Sequence, residues 1–431
     1  MIKKRTVLLP ALSLLLLSAC SGGKGTDAST PAKIDSKPPE PVELVMLQDG
    51  ATITDDEFNN FIAGPVHAKY PHITVTMYRN TKGLDGLSTL IQSGSFPDFV
   101  FTTYPQIKVN RELGTALDLS DLIKKNNMDI TKFDPAAIET STVYGNSSHL
   151  YAIPFSLNFL ATFYNKDLFD KFGVSYPKEG ITWDDAIQLS KNFDRVMDGI
   201  QYRGLMANGA GDLSTQLSLP YVNASTNKAQ ITTDGWKKLM QLVKSINDVP
   251  GNKGATLDHF LKEQSLAIVA SYDARFAALE KLQGTPAQFN WNVTQFPSHA
   301  DKPNVSLASS GHFLLVSALS KHKDEAFQAI DVLTGDNVQK AITENGRFTS
   351  LKNDSIKALY GKNMKSMEGK NIKSVFKSAF APPFAPTKYD SFAVARINEA
   401  VKKVIGGETD INSALRDAEE AANKDIAAQP K

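Results

Sequence analysis

Side chains with strong chemical reactivity are scarce in this sequence of 431 residues, which contains one cysteine and seven histidines. A single thiol cannot form an intrachain disulfide or a zinc cluster of cysteines. The histidines show no H-E-x-x-H motif, and His67 and His72, which flank Pro71, do not share one face of a helix. The sequence also lacks a G-x-S-x-G nucleophile motif and a phosphate-binding loop. These residue types therefore predict no nucleophilic, nucleotide or metal-dependent chemistry, and no cofactor.

Composition and charge are those of a soluble globular protein. Hydrophobic residues make up 42% of the chain and charged residues 22%, which argues against wholesale disorder and against a protein that spans the membrane several times. The length predicts two or three compact units. Lys and Arg together number 47 against 46 for Asp and Glu, so no excess of basic residues indicates binding to nucleic acid.

The position of Cys20 predicts what this residue does. It follows a basic start at residues 3 to 5 and an apolar run at residues 7 to 17, which is about half the roughly 20 residues that a membrane span needs. Such a run is typical of an export signal. Residues 17 to 21 resemble the lipobox of bacterial lipoproteins, and the alternative is a plain signal peptide with an incidental cysteine. The resemblance implies a signal peptide at residues 1–19, a lipid such as palmitate on Cys20, and a location on the extracytoplasmic face of the cell membrane.

Residues 20–41 predict a flexible tether between this anchor and the folded body. The segment contains no aromatic residue and almost no large apolar side chain. It therefore cannot bury enough surface to offset the conformational entropy that is lost when a chain is ordered.

Beyond the tether, apolar strands alternate with helices. The predicted strands are residues 42–47, 73–77, 99–101, 150–154, 163–164 and 266–270, and helices are expected near 54, 84–93, 166–172, 182 and 213–248. Alternation of strand and helix predicts an α/β fold, and its recurrence along the chain predicts two lobes. Trp183, Trp236 and Trp291 are expected to pack in helices or near a hinge.

Four stretches, in order, resemble the carbohydrate group of extracellular solute-binding lipoproteins of bacterial ATP-binding-cassette importers, which includes maltose-binding protein. These stretches are residues 96–101, 151–154 with 163–169, 182–183, and 311–317 with 321–327. The resemblance covers roughly residues 42 to 425. It implies a two-lobed, type II periplasmic-binding-protein fold with an interlobe hinge and a ligand cleft. It also implies a monomer that captures a sugar, with an oligosaccharide favoured, and delivers it to permease subunits without covalent chemistry.

The same resemblance implies where the chain passes between the lobes. The passages are expected near Pro154, within residues 289–296 and within residues 333–339. The N-terminal lobe would then contain residues 42–154 and 290–335, and the C-terminal lobe residues 155–289 and 336–431.

Candidate ligand contacts lie where predicted strands end. Sugars present hydroxyl rims and apolar ring faces, so their sites need planar polar side chains and aromatic rings. Tyr272, which follows the strand at residues 266–270, is the strongest candidate because it matches the family's stacking aromatic residue. The other candidates, which match by position, are Gln48, Asp49, Thr102, Tyr104, Asn158, Asp212, Gly311, His312, Arg347, Tyr389 and Phe392.

Three alternatives to sugar capture stay open at the level of the sequence. A glycosidase would need two carboxylates roughly 5 to 9 Å apart across a sugar, and Asp49 with Asp212 is the pair that the sequence offers. A second alternative is a binding protein for a metal ion or a peptide. The third is a sensor of the same fold that reports its ligand to a membrane kinase.

Overall fold

A computed structural model of the protein describes residues 39–145 and 148–429. The predicted signal peptide, Cys20 and most of the predicted tether lie outside the described residues. The body that begins at Pro41 forms one compact unit.

Fifteen strands are present in the described chain. They are β1 (Val42–Asp49), β2 (Ile73–Arg79), β3 (Phe99–Thr103), β4 (Ile153–Asn158), β5 (Leu160–Asn165), β6 (Arg195–Met197), β7 (Ile200–Ala207), β8 (Val222–Asn223), β9 (Lys228–Ala229), β10 (Leu266–Tyr272), β11 (Trp291–Gln295), β12 (Val305–Ala308), β13 (Ser310–Val316), β14 (Phe348–Thr349) and β15 (Ala379–Ala381).

Eighteen α-helices separate these strands over the same residues. They are α1 (Asp55–Phe58), α2 (Gly64–Lys69), α3 (Gly83–Gln92), α4 (Tyr104–Glu112), α5 (Ser120–Lys125), α6 (Pro135–Gly145), α7 (Lys166–Phe172), α8 (Trp183–Ser190), α9 (Ala210–Gln216), α10 (Asp234–Asn247), α11 (Leu257–Leu261), α12 (Ala274–Glu280), α13 (Lys323–Leu333), α14 (Asp336–Glu344), α15 (Asp354–Lys357), α16 (Ile372–Val375), α17 (Asp390–Gly406) and α18 (Ile411–Ala427). A π-helical segment, Asn59–Ala63, joins α1 to α2, and four single 3₁₀ turns occupy Ile130–Lys132, Lys191–Phe193, Pro250–Asn252 and Lys365–Met367.

Two mixed sheets form the framework of two lobes, which confirms the predicted fold class. The first sheet has the order β14-β4-β13-β3-β1-β2, with β1 parallel to β2 and β3, and β13 antiparallel to β3 and β4. The second sheet has the order β11-β5-β10-β7-β6, with β10 antiparallel to β5 and parallel to β7. Two-stranded pairs, β12 with β15 and β8 with β9, complete the strands.

The central strands are rich in apolar residues because both faces of each sheet are covered. Every residue of β5 is buried, and so are the first six residues of β10. Strands that are buried on both faces do not alternate apolar with polar residues.

Side-chain caps satisfy free backbone N–H groups at the start of some helices. Thr54 forms a capping box with Glu57 at α1, and Thr182 forms one with Asp185 at α8.

The chain first passes from the first sheet to the second at a single residue, Phe159, because β4 ends at Asn158 and β5 begins at Leu160. The predicted passage near Pro154 lies too early, since Leu157 and Asn158 still pair with β13 of the first sheet. Phe159 is buried among aromatic rings from several segments, with centroid distances of 5.1 to 6.0 Å to Phe276, Phe348, Tyr360 and Phe376.

The other two predicted lobe boundaries also differ from those that the strand pairing gives. β11 pairs with β5 in the second sheet, although residues from 290 onward were expected in the N-terminal lobe. In the opposite sense, α14 and β14 lie with the first sheet, although residues from 336 onward were expected in the C-terminal lobe. Gln339 donates from Nε2 to the carbonyl oxygen of Phe155 at 2.8 Å, and Phe348 pairs with Leu157. Strand pairing between residues far apart in sequence sets these boundaries.

Each sheet packs on a core of its own, and a further cluster around Phe159 contains residues of both sheets. Trp236 of α10 is fully buried and packs with residues of α17 and α18 in the core of the second sheet, while Trp183 and Trp291 are also buried, as the sequence predicts. Phe99 and Phe101 of β3 are fully buried in the core of the first sheet. Among the described residues, no helix is both long enough and apolar enough to span a lipid bilayer.

Candidate ligand-binding cleft

A cleft of about 560 Å³ is lined by residues from both sheets. The ends of β3, β4 and β13 line it from the first sheet, and the end of β10 with the start of α12 lines it from the second. The lining residues are Thr52, Glu57, Thr103, Tyr104, Ser156, Leu157, Asn158, Tyr272, Asp273, Ala274, Arg275, Ala277, Ser310, Gly311, His312, Gly346 and Arg347. Six predicted contacts are therefore brought together here: Tyr104, Asn158, Tyr272, Gly311, His312 and Arg347.

Tyr272 is the last residue of β10 and is held by a hydrogen bond within its own lobe. Its hydroxyl donates to Oδ1 of Asp212 at 2.9 Å, and Oδ2 of Asp212 accepts from Nδ2 of Asn208 at 2.9 Å. Burial and the neighbouring charge of Asp212 raise the pKa of Tyr272, so the hydroxyl stays protonated and continues to donate. Asp212, another predicted contact, thus positions the aromatic ring at the cleft without lining it.

A small chamber adjoins the cleft, and Tyr104, Tyr272 and Ser310 line both spaces. Tyr104 begins α4, and its ring packs edge-on against that of Tyr144 with the centroids 4.7 Å apart. Burial, helped by the charge of Asp212, raises the pKa of Tyr104 to about 12. The hydroxyl of Ser309, which also lines the chamber, is buried without a hydrogen-bond partner in the described chain. The chamber therefore offers aromatic faces and one unsatisfied polar group.

His312 on β13 is held in one tautomer by Arg347. Nη1 of Arg347 lies 3.3 Å from Nδ1 of His312, and the hydroxyl oxygen of Ser156 lies 2.9 Å from the same nitrogen. A guanidinium group can donate but cannot accept, so Nδ1 is the acceptor and the ring proton is on Nε2. Burial and the charge of Arg347 lower the pKa of His312 to about 3. The ring, stacked on Phe101 with centroids 5.2 Å apart, is thus a neutral donor at physiological pH.

Arg347 is in turn satisfied by Glu57 of α1. Nε donates to Oε1 of Glu57 at 2.6 Å, and Nη2 donates to Oε2 at 3.1 Å and to the carbonyl oxygen of Thr52 at 2.8 Å. Oε2 of Glu57 also accepts from the backbone N–H of Thr54 at 2.9 Å. Burial would raise the pKa of Glu57, but the hydrogen bonds and charge of Arg347 outweigh burial and lower it. Glu57 is therefore an ionised partner of Arg347 that is already engaged.

Two further charged residues, Asp273 and Arg275, lie on the opposite wall, directly after Tyr272. Burial raises the pKa of Asp273 to about 7, even though the charge of Arg347 opposes this shift. Nε of Arg275 donates to the hydroxyl of Ser271 at 3.4 Å, and burial lowers the pKa of Arg275. No carboxylate of the described residues lies within 4.0 Å of the Arg275 guanidinium.

Gly311 is at a point where β13 and β4 approach too closely for a side chain. A Cβ atom at Gly311 would lie 2.1 Å from the carbonyl oxygen of Ser156 and 2.9 Å from Cα of Leu157. Because both neighbours are backbone atoms, neither can move aside without breaking the strand pairing. Glycine at this position lets the first sheet present Ser156 and His312 side by side.

Five predicted contacts lie elsewhere. Thr102 is fully buried and donates to the carbonyl oxygen of Asp49 at 2.6 Å, while Oδ1 of Asp49 accepts from Nδ2 of Asn80 at 2.7 Å. Gln48 donates from Nε2 to the carbonyl oxygen of Ala51 at 2.9 Å. These three residues fix the ends of β1 and β3 and do not line the cleft. Tyr389 and Phe392, at the start of α17, pack against the core of the second sheet.

Sequence reasoning missed Glu57, Ser156, Asp273 and Arg275. The sequence positions of three of them could have indicated the cleft. Asp273 and Arg275 lie one and three residues after Tyr272. Ser156 precedes Asn158 by two residues on one strand, so these two side chains share a face. The sequence around Glu57 indicated only the start of a helix, because its contact with Arg347 spans 290 residues of sequence. Over the described residues, no group of three or more histidine, cysteine, aspartate or glutamate side chains is arranged to hold a metal ion.

Comparison with known proteins identifies the class. The family model described as bacterial extracellular solute-binding protein matches residues 53–340, more than half of the chain. The protein therefore belongs to this family, whose members bind solutes.

Solved structures with the same fold include an ABC substrate-binding protein from Listeria monocytogenes in complex with cycloalternan, with 20% identity and a TM-score of 0.70 over 90% of this chain and 100% of that one. A cyclic alpha-maltosyl-1,6-maltose binding protein from Arthrobacter globiformis has 17% identity and a TM-score of 0.70 over 90% and 100%. The sugar-binding protein MalE from Xanthomonas citri has 16% identity and a TM-score of 0.70 over 90% and 98%. At this level of identity the similarity shows the fold.

Proposed function

We propose that this protein captures a saccharide in the cleft, with an oligosaccharide favoured, and delivers it to the permease subunits of an ABC importer without covalent chemistry. The observation that carries this proposal is the lining of the cleft: tyrosine rings at Tyr104 and Tyr272 stand beside hydroxyl and amide groups at Ser156 and Asn158. Aromatic faces suit the apolar faces of sugar rings, and planar polar groups suit their hydroxyl rims. The same choice is supported by the names of the similar structures, two of which name a cyclic oligosaccharide and one of which names a sugar-binding protein.

The arrangement is suited to capture because each sheet supplies part of the wall. Ser156, Asn158 and His312 come from the first sheet, and Tyr272 comes from the second. A ligand that contacts both lobes stabilises the conformation in which both sets of contacts are made, and a transporter can then distinguish the liganded from the empty protein. A sensor would use the same physics, and identification of a permease or of a receptor kinase by pull-down separates these two roles.

A glycosidase is not favoured by the positions of the carboxylates. Asp49 is enclosed at the end of β1 and bound to Asn80, so it does not face Asp212 across a sugar. In the cleft itself, both oxygens of Glu57 are engaged by Arg347. Hydrolysis would require two carboxyl groups that face each other across a bound sugar, one protonated to act as the general acid and one ionised and free to act as the base or nucleophile. Turnover of an oligosaccharide panel by the purified protein would contradict this part of the proposal.

We also propose that Cys20 carries the lipid that anchors the protein on the extracytoplasmic face of the cell membrane. Support comes from the sequence, in which the cysteine falls where the export signal ends. Mass spectrometry of the protein from its native membrane should find cleavage before Cys20 and an acylated cysteine. An unmodified Cys20 in that material would refute the anchor.

The sugar-binding site is tested by replacing Tyr272. A thermal-shift screen with neutral and acidic oligosaccharides first identifies a ligand, because a ligand at 100 times its dissociation constant stabilises the native state by about 2.7 kcal/mol. Tyr272→Ala should then weaken binding of that ligand by ~1–3 kcal/mol, since it removes the stacking area, while Tyr272→Phe should retain most of the affinity. Phe392→Ala is the control, because Phe392 packs in the same core without lining the cleft. Equal calorimetric affinity of Tyr272→Ala and the wild type would remove Tyr272 from the site.

A further inference from the structure

The two arginines of the cleft, Arg347 and Arg275, differ in their contacts with carboxylate groups. Arg347 makes a two-point ion pair with Glu57 and a further hydrogen bond to Thr52. Arg275, the second residue of α12, makes one long hydrogen bond of 3.4 Å from Nε to the hydroxyl of Ser271. In the part of the chain that the structure describes, no acidic side chain forms an ion pair with Arg275. One guanidinium group at the cleft is therefore in direct contact with a carboxylate, whereas the other has only the more distant charge of Asp273 nearby.

A partly buried cation that no carboxylate contacts is costly to the protein. Removing a charged group from water costs several kcal/mol unless an opposite charge and hydrogen bonds replace the lost hydration. Burial lowers the pKa of Arg275, and the charge of Asp273 opposes this shift without cancelling it. Because the side chain lines the cleft, a bound ligand is in a position to supply the missing anion.

The remaining polar groups around this space include donors that a ligand can use. His312 carries a proton on Nε2, and the side-chain amide of Asn158 can both donate and accept. The hydroxyl of Ser156 donates to Nδ1 of His312, so its oxygen is left to accept. The carboxylate of Glu57 is already engaged by Arg347, and the carboxyl of Asp273, whose pKa burial raises to about 7, is partly protonated at neutral pH. Arg275 is therefore the positively charged group of the lining that no carboxylate contacts, and a ligand with an anionic group can pair with it.

We propose that the saccharide captured here carries an anionic group, and that Arg275 binds this group. This inference rests on the proposed capture of a saccharide and narrows its class. The planar guanidinium group can donate two parallel hydrogen bonds to a carboxylate, a phosphate or a sulfate, so the shared chemistry is an oxyanion on a sugar.

The test is calorimetry on the mature, unlipidated protein with acidic oligosaccharides and their neutral counterparts. Digalacturonate and trigalacturonate are compared with their methyl esters, and a glucuronate-containing disaccharide, a sugar phosphate and a sulfated disaccharide are each compared with the uncharged parent sugar. We expect at least one acidic member to bind tenfold or more tightly than its neutral counterpart. The preference should decrease as the salt concentration rises, because the interaction is between charges. The pair that shows the preference identifies which oxyanion is recognised.

Substitution of Arg275 assigns the preference to this side chain. Arg275→Gln should abolish the preference for the acidic sugar over its neutral counterpart, and Arg275→Lys should retain part of this preference. Arg416→Gln, which removes a charge from the exposed face of α18, is the matched control and should change neither affinity. An acidic preference that persists in Arg275→Gln would refute the role of Arg275.

The same panel separates failure of this inference from failure of the proposed function. If neutral oligosaccharides bind and their acidic counterparts do not, the anionic class is wrong and saccharide capture stands. If no oligosaccharide of either class binds, the proposed saccharide function is refuted together with the inference.

Discussion

The ion pair between Glu57 and Arg347 should be one of the more strongly stabilising polar contacts of the first lobe, and Glu57→Gln measures this contribution. The substitution keeps the size of the side chain but removes the charge to which Arg347 donates two hydrogen bonds, of 2.6 and 3.1 Å. A hydrogen bond to a charged group contributes about 1.5–3 kcal/mol net. The side chains of Arg347 and Glu57 are 16% and 27% exposed, so water screens part of the interaction. We therefore expect Glu57→Gln to lower the free energy of unfolding by about 2–3 kcal/mol.

Urea unfolding of Glu57→Gln, Arg347→Gln and the double variant gives the coupling between the two residues. Contacting residues of one network show coupling energies of about 0.5–3 kcal/mol, and we expect the upper half of this range. Lys125→Gln is the control, since its partner Asp324 lies at 2.7 Å but the two side chains are 63% and 49% exposed. Lys125→Gln should lower the free energy of unfolding by less than about 1 kcal/mol.

The dependence of this coupling on pH provides a second criterion. Arg347 holds the pKa of Glu57 below that of the unfolded chain. The stabilisation is therefore fully present above pH 4.5 and is lost as the pH falls through the lowered pKa of the folded state. Additive effects of the two single substitutions at pH 7, or a coupling that persists unchanged below the folded-state pKa of Glu57, would refute this account.

Two further predictions concern stability. Asp273 has a pKa of about 7 in the folded protein against 3.8 for the free side chain, so the native state binds more protons between these values and stability should fall as the pH rises through this window. Asp273→Asn should accordingly stabilise the protein at pH 8 by up to about 4 kcal/mol and have little effect at pH 4, and thermal melts that show the same difference at both pH values would contradict this. Gly311→Ala should lower the free energy of unfolding by about 1–3 kcal/mol, because the Cβ atom of the alanine would overlap the backbone of β4. Gly209→Ala, where nothing lies within 4 Å of an added Cβ, should change the urea midpoint little, and equal losses for the two variants would refute the steric argument.

The sequence predicts most strands of the first sheet, and β10 with part of β5 in the second, because strands buried on both faces are rich in apolar residues. It does not predict β6, β7, β11 or β14. It predicts Tyr272 and His312 because both lie close to the end of a predicted strand. It does not show which way a polar side chain turns at a strand end: Asp49 ends β1 as Tyr272 ends β10, yet it binds Asn80 and lies away from the cleft. Tyr389 and Phe392 illustrate the same limit, because the packing of α17 on a distant core decides their position.

The two arginines of the cleft show why the local sequence could not predict the whole site. Arg347 finds its counter-charge 290 residues away, at Glu57, and only the paired strands and helices of the first lobe bring the two together. Arg275 finds no such partner in the described chain, although its charge is disfavoured by burial. Buried polar groups of native proteins are almost always satisfied, and a group that no protein partner contacts can be satisfied by a ligand when it lines a cleft. Arg347, paired with Glu57, therefore maintains the wall of the cleft, and Arg275, which no carboxylate contacts, is the position at which we propose that ligand chemistry is selected.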